Sequence, residues 1–136
     1  MSGAGAGTGP AGGAGPRLLS AWVVLVALHS YVVGAFLLFA TEWGARFGGF
    51  GEVSPLFFAR QAGVFHFVIA TAYLVERFVH GGVVILVSAK VTAVVFLVAT
   101  WALGVDAWTV PLSAAGDAAM GLVTVLLARH VRAKPG

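Results

Sequence analysis

The chain has 136 residues, of which 60% are hydrophobic and 10% charged, with a formal charge of +3 and no cysteine. A soluble domain of this length buries only about 68% of its unfolded surface and carries roughly 25% charged residues, so this composition excludes that class and indicates one integral membrane domain. Disulfides, thiolate metal sites and thiol chemistry are excluded. The basic residues form no patch suited to nucleic acid, since three of the eight follow the last apolar stretch, as Arg129, Arg132 and Lys134.

Residues 1–16 are almost entirely Gly and Ala, with one Thr, one Ser and two Pro. Such a segment offers too little apolar surface to offset its chain entropy and reads as a disordered tail. It lacks a lipidation signature, and the apolar run after Arg17 is too long for the core of a signal peptide.

The four-helix transmembrane domain then covers 17–130, with spans at about 18–40, 56–76, 83–104 and 109–129, followed by a basic tail over 131–136. The first span has 23 residues without formal charge, or roughly 34 Å of helix at about 1.5 Å per residue, enough to cross with some tilt. Residues 41–55 mix Glu42, Trp43, Arg46, Phe47, Phe50 and Glu52 with glycines, a composition suited to the membrane–water boundary rather than to a long helix. Pro55 fits the first turn of the second span, Gly81 and Gly82 stop it, and Thr109 with Pro111 marks the start of the fourth. Both termini then share a side with Arg17, Arg77, Arg129, Arg132 and Lys134, against Arg46 and Arg60 opposite, so the positive-inside rule places the termini in the cytoplasm.

Few polar groups interrupt the spans. From helical rise, Asp117 and His66 lie about 12 and about 15 Å from the outer end, and His29 lies about 16 Å from either end of its span. Arg60 lies about 6 Å in, and Lys90 about 10 Å from the cytoplasmic end. A charge at mid-bilayer costs about 2.5–3.5 kcal/mol, which turns Asp117, Arg60 and Lys90 towards protein or water. Ser113, Asp117, Gly121, Thr124 and Ala128 make one polar or small stripe, and Gly63, His66, Ala70 and Tyr73 make another.

Two kinds of reading are open for these residues. As structure, Asp117 pairs with Lys90 or Arg60 to fix helix register, Arg60 snorkels or meets Glu42 or Glu52, and the histidines are hydrogen-bonded core groups. As function, Asp117, Lys90, Arg60, His66 and His29 form one layer that binds a small molecule or relays protons, the positive excess favouring an anionic or neutral ligand. His29 and His66 are also a possible axial pair for a b-type haem, with clearance at Gly63, in a haem- or quinone-linked redox protein. No cofactor is otherwise indicated, and the sequence has no metal motif, phosphate loop or nucleophile–base arrangement. The bilayer is the expected partner, with a homo-oligomer or a larger complex beyond it. Four helices enclose little volume, so a proton-coupled or solute transporter would work as an oligomer. An enzyme is the less favoured class.

Arg60-Gln-Ala-Gly63 opening the second span, Ala89-Lys90 in the third, and Pro111 with Gly116-Asp117-Ala-Ala-Met-Gly121 in the fourth carry a resemblance. Over roughly Ala40 to Ala128 the layout resembles small four-helix bacterial membrane proteins of the DoxX-like kind. The resemblance implies a four-helix membrane bundle and brings no agreed activity with it; the protein is expected in the inner membrane.

Overall fold

The computed structural model describes residues 13–133, and these are helical without a strand. The helices are α1 (Ala14–Phe39), α2 (Thr41–Phe47), α3 (Leu56–Val75, continued by a wider turn over Glu76–His80), α4 (Val84–Ala102) and α5 (Thr109–Ala133). All but α2 are long and apolar enough to cross a membrane. Each buries a thin stripe and leaves leucines, valines and phenylalanines on the exterior, the reverse of a soluble bundle.

Two helix pairs make the bundle. α1 lies along α3, α5 lies along α4, and a shorter α1–α5 contact joins the pairs. At the α1–α3 crossing Gly34 faces Gly63, so close that a Cβ on either would fall 2.8 Å from the other's carbonyl oxygen. Leu19, Val23, Val26, Ala70, Tyr73 and Leu86 fill the core on the terminal side of that crossing. Trp22 Nε1 donates to Thr124 Oγ1 (3.0 Å), tying α1 to α5, and Tyr31 shares a 2.7 Å hydrogen bond with Thr71, tying α1 to α3.

Several boundaries differ from the expected ones. α1 begins at Ala14, inside the stretch read as tail; the rest of that tail, 1–12, lies outside the described residues, as do 134–136. Pro16 sits in the first turn, where its missing N–H removes no helical bond. Its carbonyl accepts from Ser20 Oγ (3.0 Å) and from the Arg77 guanidinium (3.2 Å). At the other terminus α5 runs to Ala133 rather than ending near 129, because its last turn packs on α1: Val131 and His130 stand over Gly15. Both termini of the described segment therefore share one end of the bundle.

The turn between α3 and α4 lies at that end. Helical structure continues past Glu76 to His80 and stops at Gly81, whose φ of 73° is the left-handed conformation that ends helices. The buried Glu76 carboxylate accepts from the backbone N–H groups of Val84 (2.6 Å) and Ile85 (2.8 Å), capping α4 from the neighbouring helix. Arg77 reaches Ser20 Oγ (3.1 Å), Gly81 O (3.0 Å) and Pro16 O, fastening the turn to α1.

The opposite end is closed by α2, a short helix of seven residues within the segment read as lying at the boundary. Its aromatic face forms a run, Phe36–Trp43–Phe47–Trp108, with centroid spacings of 5.8, 5.2 and 5.5 Å. Trp108 Nε1 donates to Phe47 O (2.8 Å), and the Thr109 hydroxyl to Gly48 O (2.6 Å). Thr109 thus clips the α4–α5 turn to the end of α2 instead of capping its own helix.

Candidate functional site

α3 and α4 are tied together at the Glu76 turn but contact each other little elsewhere. An open groove of about 910 Å³ lies between them. Its walls are mainly apolar, from Phe65 and Ile69 on α3 and Ile85, Ala93 and Phe96 on α4; its polar groups are Ser30, His66, Tyr73, Ser88, Thr92, Lys90 and Asp117.

Lys90 and Asp117 dominate the floor. Lys90 Nζ donates to Asp117 Oδ1 at 2.6 Å, with the two side chains only 7% and 15% exposed. Gly121, one turn beyond Asp117, makes the approach possible, since a Cβ there would stand 3.3 Å from Lys90 Cβ. The bond uses one of the three ammonium protons and one carboxylate oxygen. Among the described residues neither group has a second hydrogen-bond partner, so donor and acceptor capacity remains. The pair also lines a smaller groove of about 330 Å³ on the exterior of the α4–α5 seam, with Val91, Val94, Ala118 and Leu122. It therefore separates two grooves.

His66 stands on the α3 wall, half-buried, and its Nδ1 is buried with no hydrogen-bond partner among the described residues. A buried, unpaired imidazole nitrogen is costly to leave empty-handed, which marks the position where a ligand polar atom or a water is best accommodated.

Not all the expected site residues meet. Asp117, Lys90 and His66 line one groove. His29 is exposed on α1, while the next residue, Ser30, is buried and lines the groove. Arg60 is exposed on α3 and makes no ion pair among the described residues; Glu52 instead meets Arg46, at 3.8 Å and largely in the open. Of the five groups expected to cluster, three line this groove, and Lys90 and Asp117 balance each other there. On the α5 stripe Gly121, Thr124 and Ala128 are buried, but Ser113 is exposed. The α3 stripe of Gly63, Ala70 and Tyr73 is buried, with His66 half-buried.

The clearance expected beside Gly63 is filled by the backbone of Gly34, and His29 does not line the groove that His66 lines. Among the described residues no three His, Asp or Glu side chains cluster to hold a metal ion.

No family model, curated protein or solved structure matches this chain.

Lys90 and Asp117 are held to each other in the 2.6 Å pair. What they offer is a neutral, strongly dipolar floor beneath apolar walls.

Proposed function

We propose that the chain is a multi-pass protein of the inner membrane that binds a small lipophilic molecule in the α3–α4 groove, without catalysis, alone or as an accessory subunit of a larger membrane complex. The observation that carries this reading is the buried Lys90–Asp117 pair, with unused hydrogen-bonding capacity, at the floor of a groove open along its side. In a bilayer that opening faces acyl chains, so a ligand enters from the lipid. Because the pair is internally neutralised, the matching head group is neutral and carries both a donor and an acceptor. This replaces the anionic or neutral alternative that five separate groups suggested. The layout shared with DoxX-like proteins supports the bundle and adds nothing on activity.

Filling the groove tests the proposal. Wild type and Ala93→Trp are purified in lipid nanodiscs and their bound small molecules extracted for mass spectrometry. A neutral lipophilic species should accompany the wild type in near-stoichiometric amount and fall at least about tenfold in the variant, as expected for loss of a pocket that buries most of its ligand. Identical extracts would sink the binding reading.

A second reading, proton-coupled or solute transport by a homo-oligomer, draws on the position of the ion pair between two grooves. A solute passing from one to the other would have to part Lys90 from Asp117, and intramembrane carboxylate–amine pairs serve such pathways.

For orientation, we infer that the shared end of the termini is cytoplasmic. Arg17, Arg77, Arg129 and Arg132 lie at that end, where Arg77 is bonded to the first turn of α1, against Arg46 and Arg60 towards the other. A periplasm-dependent phosphatase fused after Gly136 should be inactive, and the same reporter inserted at Gly51 active. The opposite pattern inverts the topology.

A further inference from the structure

We propose that the α4–α5 seam carries a second binding site, for one anionic phospholipid of the leaflet at the terminal end of the bundle. A cavity of about 250 Å³ at that end lies between the start of α4 and the last turns of α5, with Arg129 and Arg132 at its mouth and Val83, Val87 and Val125 beneath them. Val87 and Val125 also line the furrow that runs on along the seam to Lys90 and Asp117. Basic head and apolar furrow are thus continuous.

Three features select the occupant. The first is charge. The two guanidiniums stand one helical turn apart on α5, make no ion pair among the described residues, and no carboxylate lines that cavity. Arginine presents a planar fork of donors that fits phosphate oxygens two at a time. The second is the state of the α4 N-terminus, the other natural anion position at this end. Its Val84 and Ile85 N–H groups are already taken by Glu76, which leaves the phosphate to the arginines. The third is length. Arg129 to Asp117 is 12 residues, or about 18 Å of helix, close to the roughly 15 Å of hydrocarbon in one leaflet. A phosphate held at Arg129 and Arg132 therefore lays an acyl chain along the valines of the furrow, ending near the ion pair. Basic pockets between spans at the inner boundary are a recurring way to hold acidic head groups.

The test uses the full chain purified from an equimolar mixture of phosphatidylglycerol and phosphatidylcholine, with the lipid that remains bound quantified by mass spectrometry. Phosphatidylglycerol should be enriched about tenfold or more over phosphatidylcholine, the scale expected of two basic groups at a membrane surface. Arg129→Gln with Arg132→Gln should reduce the enrichment to near unity. Arg17→Gln with Arg46→Gln removes the same charge elsewhere and should leave it intact. Val125→Trp, which blocks the furrow but keeps both arginines, should release both lipids. Equal enrichment losses in the two arginine pairs would show diffuse charge attraction and overturn the site. Glycerol phosphate competing as well as the whole lipid would reduce it to a head-group site and overturn the acyl furrow. Because the first comparison needs only wild type, misfolding of a variant does not leave the proposal untested.

Discussion

Asp117→Leu should lower stability by about 3–5 kcal/mol, while Lys90→Met combined with Asp117→Leu should recover most of that loss. The pair joins α4 to α5 in apolar surroundings, with both side chains mostly hidden. Removing one partner leaves the other charge without compensation in mainly apolar surroundings. Removing both charges and restoring the volume eliminates the desolvation penalty together with the attraction, and such replacements are often neutral or better. Unfolding midpoints in a denaturing-detergent titration give the comparison. If the single variant matches wild type, the pair has no structural role and the floor of the groove is more open than described. If the double variant is stable yet retains no ligand in the extraction experiment, the pair is kept for binding rather than for folding.

The second large effect should come from Gly63. Gly63→Ala places a methyl group 2.8 Å from Gly34 O and 3.0 Å from Leu38 N, both backbone atoms that no side-chain rotation can move. Relief requires α1 and α3 to separate along the most extensive seam in the bundle. Overpacking of this kind costs about 1–3 kcal/mol, whereas alanine gains about 1 kcal/mol over glycine in helix propensity. With backbone on both sides of the contact we expect the clash to win, leaving a net loss. Gly116 supplies the control, because a Cβ there meets nothing within 4 Å and only the propensity gain remains. The same substitution at two helical glycines should thus have opposite signs, readable as opposite shifts in thermal midpoint by circular dichroism. A gain in both would mean that α1 and α3 tolerate a wider crossing. Gly63→Leu should prevent the native α1–α3 packing altogether.

The helices were legible in the sequence because length and continuous apolarity alone define them. Their ends were not. Ala14 to Pro16 looks like linker by composition, and becomes helix because Pro16 O is claimed by Ser20 and by Arg77 from another helix. Glu76 could be placed near the end of a span, but not recognised as the cap of the next one, since that depends on how the chain turns at Gly81.

The site was legible as a set of expensive residues and illegible as an arrangement. Depth along a span follows from residue count, so Asp117, His66 and His29 could be assigned to the middle, with Lys90 more than a turn towards the cytoplasmic end. Direction around a helix changes by about 100° per residue, and near-uniform apolarity leaves that angle unspecified. His29 and Ser30 show the consequence: adjacent in sequence, they are exposed and buried respectively. The choice of Lys90 over Arg60 as partner for Asp117 has the same origin, because it depends on which helices are neighbours.

The two ties on α4 set the mechanics of the binding groove. Glu76 fixes its first turn to α3, and the turn that follows it is pinned to α2 through Trp108 and Thr109. Between Val84 and Ala102 there is no glycine or proline at which it could kink. The helix therefore has no kink point of its own, and under the proposed binding the girth that the groove admits would follow from the bulk of Ala89, Ala93 and Phe96 on its α4 wall.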